Sequence, residues 1–284
     1  GYRIYSTKAL KQIPFEKNSD DFDFETDIIL QLHAANLKIK EIAVPTFYGD
    51  EICHVKIISY SLNALKSCLQ YALQKFDVFY NPKFDLENEN PYRAKFNFAS
   101  SHSYALREAE NNKDTIIFGC GPKELVEPFY IKARKLSLLD SELESKIADE
   151  TFEEDLDNFC FSKLKKSSYD QVLLLDIIEH LKSPEALFKN IREDSRFRDS
   201  KIIISTPNIA FFSVRLMLFL GFFNYGKRGI LDRTHTRLFT FKSLKNCLQQ
   251  EGFEIISTKG VPAPFPLVVK NKITAKVLTG INLL

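Results

Sequence analysis

The sequence predicts an α/β protein whose larger part is a doubly wound, mostly parallel sheet, preceded by a smaller α/β unit and a helical connector. Three observations carry this. Thr115–Phe118, Lys135–Leu139, Val172–Leu175 and Lys201–Ile204 are short, mostly apolar runs of the kind that suits strands buried on both faces. Segments of helical character separate them, so strand and helix alternate four times. The first run empties into Gly119-Cys120-Gly121-Pro122, a strand-to-glycine-to-helix arrangement that lets the backbone approach a ligand closely.

Composition sets the bounds. The 284 residues leave room for one large or two modest domains, and 44% hydrophobic with 27% charged residues is ordinary for a globular chain. Net charge is +2 with the signs interspersed, so no electrostatic footprint argues for nucleic acid, and Lys163 to Lys166 reads as solvated surface. Five cysteines (Cys53, Cys68, Cys120, Cys160, Cys247) are odd in number and lack CxxC spacing, which favours reduced thiols in a cytoplasmic setting. No uninterrupted apolar run reaches the roughly 18 residues that cross a bilayer. The nearest, Ile209 to Phe223, is broken by Arg215. It is expected either to pack as a helix inside the protein or, in a sharper reading, to touch lipid at the inner face of a membrane. A start at Gly1 and an end at Leu284 in mid-pattern suggest a piece of a longer polypeptide.

Residues 1–60 make the first unit. Thr7 to Leu10 and Asp27 to Ala35 have helical patterns, Asp23, Glu25 and Asp27 suit a helix N-terminus, and Ile39 to Val44 alternates as a strand that Pro45 ends. Residues 61–99 form the connector and linker. Ile57 to Phe79 places Ile58, Leu62, Leu65, Leu69, Leu73 and Phe76 at helical spacing, and Asn81 to Tyr92 is polar with Pro82 and Pro91. A helix over Ser101 to Glu110 opens the third unit, residues 100–284. Beyond the glycines, Lys135 to Leu139 closes on Asp140, at the distance where an acid can reach a ribose. An acidic cluster, Glu153 to Asp157, follows. The strand within YDQVLLLDIIEHL then ends on Asp176, Glu179 and His180, at the edge where open α/β sheets bind ligands. Ser183-Pro184 supplies N-cap and first-turn signals for a helix through Ile191, and Lys201 to Ile204 runs into Ser205-Thr206-Pro207-Asn208.

Two stretches resemble known families. GYRIYSTKALKQIPF, DFDFETDIILQL and IKEIAVPTFYGDE resemble the end of a family 2 glycosyltransferase catalytic domain of the polyprenol-phosphate sugar synthase kind. That resemblance implies a place for Arg3 and Asp27 near the acceptor side of the family's site. It also implies a sugar-nucleotide fold upstream, so the segment is expected to be inactive. From about residue 100 the chain resembles the class I S-adenosylmethionine-dependent methyltransferases, Rossmann-like in fold. YDQVLLLDIIEHL, IIISTPN, YGKRGILDRTHTRLFTFKSL, LQQEGFEI and GVPAPFPL look like a bacterial branch that joins such a domain to a family 2 glycosyltransferase.

The methyltransferase resemblance implies S-adenosylmethionine as cofactor. It places Gly119 and Gly121 at its methionine part, Asp140 at the ribose hydroxyls, Asp155 and Leu156 beside the adenine, and Asp176 near the sulfonium. His180 and His235 are the candidate catalytic bases, each equally suited to a backbone hydrogen bond. His235 lies in GILDRTHTRLFT, which is expected to cover the substrate. Arg233 and Arg237 flank it and suit a phosphate or carboxylate, or a bridge to Asp232. Asp176, Glu179, His180 and His235 also offer oxygen and imidazole ligands, but no metal site is assigned to them. Ile117 and Lys123 stand where many relatives have an acid and a third glycine, which keeps open a degenerate module that binds without catalysis. The expected reaction is methyl transfer to oxygen of a small or lipid-linked acceptor, with sugar content suggested by the neighbouring segment. Peripheral membrane contact through residues 209–223 goes with that expectation; nucleic acid does not, and the oligomeric state is left open.

Overall fold

A computed structural model of the chain divides into two compact units. It describes residues 3–45, 55–75, 80–86 and 94–262.

The first unit comprises residues 1–90 with 216–228. It holds helices α1 (Thr7–Leu10), α2 (Phe24–Ala34) and α3 (Ile57–Gln74). Its polar centre is Gln31, fully buried on α2, whose Nε2 donates to Pro14 O at 3.1 Å, Asn18 Oδ1 at 2.7 Å and Lys83 O at 2.8 Å. Asp27, equally buried, pairs with the Lys83 ammonium. The expected strand over Ile39 to Val44 does not form. Its apolar residues stand in solvent, Ile42 at 76% exposure, and no described segment pairs with it, so alternation alone made no strand. On α3 the apolar stripe is present but uncovered: Ile58, Leu62, Leu65 and Leu69 are all exposed. The expected end of this helix, Phe76 to Phe79, lies outside the described residues.

The second unit carries the sheet. Helix α4 (Ser101–Glu108) leads into β1 (Asp114–Phe118), followed by α5 (Lys123–Lys132), β2 (Lys135–Asp140), β3 (Glu150–Glu153), β4 (Gln171–Leu175), α6 (Pro184–Glu193), β5 (Lys201–Ser205), α7 (Phe212–Phe219), which passes into the first unit at Leu216, and α8 (Phe241–Gln250). The strands lie in the order β3-β2-β1-β4-β5, and every pairing is parallel. Successive side chains along a strand point to opposite faces, and the two cores follow that rule. Ile116, Phe118, Val172 and Leu174 pack with Leu187, Phe188 and Ile191 of α6 and Leu244, Cys247 and Leu248 of α8. Ile117, Leu136, Leu138, Leu173 and Leu175 pack with Ala105 of α4 and Leu125, Val126 and Phe129 of α5. Helices therefore cover both faces, which is the doubly wound arrangement predicted.

Two features depart from expectation. The acidic Glu150–Glu153 pairs with β2 as an edge strand. The apolar segment is not packed inside the protein: α7 and the turn beyond it bury Val214 and Met217 but expose Phe212, Leu216, Leu218, Phe219, Phe222 and Phe223. Among the described residues no helix is long and apolar enough to cross a membrane.

Candidate functional site

An all-parallel sheet puts the carboxyl ends of its strands on one edge, so the segments after β1, β2, β3, β4 and β5 share that edge. Strand order reverses between β1 and β4, the switch point where such sheets open a ligand crevice.

At the end of β1 the chain turns through two residues with left-handed backbone, Gly119 (φ +74°) and Gly121 (φ +59°). A Cβ on Gly119 would stand 2.4 Å from Ile177 Cγ1, so the residue must be glycine both for its dihedral and for the close passage of the segment after β4. Asp140, the last residue of β2, reaches across to this loop: Cys120 N donates to its Oδ2 at 2.6 Å and Gly121 N at 3.3 Å. The carboxylate predicted for a ribose and the amides predicted for a methionine moiety are thus one connected unit. Burial, and then the Asp140 charge, push the Cys120 thiol pKa up, so it stays protonated and unreactive. Ile117, in place of the expected acid, is a core residue of the α4/α5 face. Lys123 is exposed at the first residue of α5.

After β3, Asp155 is exposed and caps its own turn, accepting from Asp157 N at 3.0 Å and Asn158 Nδ2 at 2.8 Å. Leu156 packs against the α6/α8 face of the sheet. Asp157 Oδ1 accepts from Lys182 N at 3.0 Å, which ties this turn to the segment following β4.

Asp176 is a non-glycine residue with φ +51° at the end of β4, where the buried strand hands over to polar chain. Its Oδ1 accepts from the Ser205 hydroxyl at 2.6 Å and its Oδ2 from the Ser101 hydroxyl at 2.9 Å. His102 Nε2 lies 3.8 Å from Oδ2. Lys95 N donates to His102 Nδ1 at 3.0 Å, so the ring proton sits on Nε2, facing Asp176. His102 is fully buried. Burial, opposed by the Asp176 charge and assisted by Lys95, brings its pKa down to about 4. Ser101, His102 and Ser205 were not singled out from sequence. The one signal for them was a helix of Ser-His-Ser composition directly ahead of the glycine-bearing strand.

The two predicted histidines do meet. His180, in the turn after β4, and His235 lie edge to face with ring centroids 4.8 Å apart. The turn after β4 and the 230s segment are laced together: Arg237 N donates to Glu179 O at 3.0 Å and Thr236 Oγ1 to Leu181 O at 2.6 Å. His235 Nδ1 is 2.9 Å from Ile230 O; a carbonyl only accepts, so Nδ1 carries the proton and Nε2 keeps a free lone pair. Burial, then the neighbouring His235, hold His180 below its ordinary range. Beside them Glu179 is 2% exposed, and its Oε2 is buried without a hydrogen-bond partner. Burial, with the Asp176 charge second, pushes its carboxyl up to about 8. Arg237 pairs with Glu185 and not with Asp232, which caps its own turn through Thr234.

Sheet order and the glycine loop, with a carboxylate bonded to that loop at the carboxyl edge, define a Rossmann-like fold. Residues 83–258 match the family model described as a methyltransferase domain, and the chain belongs to that family. Solved structures of similar fold include an S-adenosylmethionine-dependent methyltransferase from Mesorhizobium loti, 15% identical over 63% of this chain and 93% of that one, TM-score 0.43. Another is a SAM-dependent methyltransferase from Archaeoglobus fulgidus, 16% identical over 63% of this chain and 80% of that one, TM-score 0.40. A third is the magnesium protoporphyrin IX methyltransferase of Synechocystis, solved with bound SAH, 15% identical over 56% of this chain and 72% of that one, TM-score 0.39. No curated protein matches the chain.

Proposed function

We propose that this methyltransferase uses S-adenosylmethionine to methylate a hydroxyl oxygen of a small or lipid-linked, sugar-containing acceptor. The observation that carries the reading is the Asp140 carboxylate held against the Cys120 and Gly121 amides. These residues fit the cofactor: a carboxylate accepts from ribose hydroxyls, and the two left-handed glycines turn the loop so that its amides and Asp140 stand together. Asp155 and Leu156 take the adenine side, and Asp176, fixed by Ser101 and Ser205, takes the sulfonium end.

The bound cofactor supplies a methyl carbon already activated for displacement. The chain's residues align the acceptor in line with that carbon and deal with its proton. His180 and His235, brought together at the carboxyl edge, take part in that second task.

Reading the acceptor as lipid-linked is supported by the first unit. From residue 52 to 76 and from 200 to 231 the sequence contains no acid, while α3 and the α7 region expose apolar side chains. Surfaces of that kind suit peripheral contact with a membrane. The descent of residues 1–60 from a family 2 glycosyltransferase rests on the sequence motifs alone and gives the sugar part of the proposal.

Isothermal titration of S-adenosylmethionine into the full chain tests the reading. Binding is expected, and Asp140→Ala is expected to weaken it about tenfold or more, the loss of one to two charge-assisted hydrogen bonds. No binding at about millimolar cofactor would replace the enzyme with a non-catalytic module.

A further inference from the structure

We propose that Glu179, His180 and His235 form a binding site for a divalent first-row transition cation, one that holds the acceptor's oxygen. One ligand atom from each lies within 4.8 Å of the other two. Two imidazoles and a carboxylate are a donor set that suits such cations, and three protein ligands leave coordination positions open. The inference rests on the methyltransferase reading and says how the histidine pair deals with the acceptor.

Three further observations point the same way. His235 is oriented as metal-bound histidines are: Nδ1 donates to the Ile230 carbonyl, which fixes the ring and presents Nε2 as the donor atom. Glu179 is almost wholly buried, yet Oε2 has no hydrogen-bond partner, an arrangement that a cation would satisfy. The segments bearing the ligands are fastened to each other by the backbone bond from Arg237 to Glu179 and the Thr236 hydroxyl on Leu181, so the set is held before any cation arrives. Asp176, the nearby acid, is not among these clustered ligands; its two oxygens accept from Ser101 and Ser205. Lone pairs that accept a cation here cease to accept protons, so the cation and not a free imidazole would make the hydroxyl acidic.

The test uses untagged full-length protein dialysed against chelator and titrated with Co2+, read by its visible ligand-field bands, and with Zn2+ by calorimetry. S-adenosylmethionine is titrated in parallel. One equivalent of cation is expected, with bands of mixed nitrogen and oxygen coordination. His235→Ala and Glu179→Gln are each expected to weaken it tenfold or more while S-adenosylmethionine still binds, which shows that the variants are folded. Cys68→Ala and Cys160→Ala remove the two exposed thiols and are expected to change nothing. Wild type that binds S-adenosylmethionine but no cation overturns the inference and leaves the methyltransferase reading standing. Cation binding that survives both ligand substitutions also overturns it. Wild type that binds the cation but no S-adenosylmethionine overturns the methyltransferase reading and leaves the cation site standing.

Discussion

His102 shows how one buried side chain couples the site to pH. Unfolded, its imidazole titrates near the ordinary 6.5; folded, burial brings it to about 4. Between those values the unfolded chain takes up a proton that the folded one refuses. Stability from this group is therefore complete above 6.5 and is lost as pH falls through the folded pKa. His102 is expected to contribute a loss on the order of 2 kcal/mol between about pH 8 and pH 5, read as the difference in urea stability between wild type and His102→Gln, because the raised Glu179 carboxyl changes stability in the opposite sense over the same range. The sequence did not mark this residue. It sits in a helix whose capping box, Ser100 with Ser103, reads as a simple helix start, and nothing in its spacing tells which strand end it will reach. His180 and His235 were legible for the opposite reason. One follows a strand whose carboxyl end is plain in the apolar run, and the other lies in the segment that the methyltransferase resemblance sets over the substrate. Their meeting at 4.8 Å, and the burial of Glu179 beside them, belong to tertiary folding.

Elements were legible in proportion to their burial. Strands β1, β2 and β4 are covered on both faces, and their apolar runs announce them. At the sheet's edge the rule fails in both directions. Strand β3, with sequence ETFE, has a polar composition because alternate residues are exposed and only Phe152 packs inward. Ile39 to Val44 has the composition of a strand and no partner. The loop after β1 needs glycine for a reason that the sequence does not show, the passage of the segment after β4 against it. A methyl group on Gly119 meets Ile177 at 2.4 Å, whereas at Gly221, with φ +80°, nothing lies within 4 Å. Gly221→Ala isolates backbone strain and is expected to cost about 1 kcal/mol; Gly119→Ala adds a clash and is expected to cost about 2 kcal/mol or more, read from urea midpoints.

At the scale of the whole molecule, the chain joins a unit with a deep core to one that leaves apolar helix faces uncovered. The sheet and both its cores lie in the second unit, whereas α3 and residues 216–228 of the first show solvent a set of leucine, isoleucine and phenylalanine side chains among cations only. Flotation with vesicles of mixed neutral and anionic lipid is expected to carry the full chain upward. Leu62→Glu combined with Leu65→Glu on α3 is expected to leave it at the bottom, with S-adenosylmethionine affinity unchanged. The strand order also bears on translation. On the ribosome, β2 and β3 emerge directly after β1 and can zip onto one of its flanks, while the other flank waits for β4. A nascent chain halted before Tyr169 would thus be a half-sheet with a naked hydrogen-bonding border and no ligand cleft, the form in which this protein would most need a chaperone.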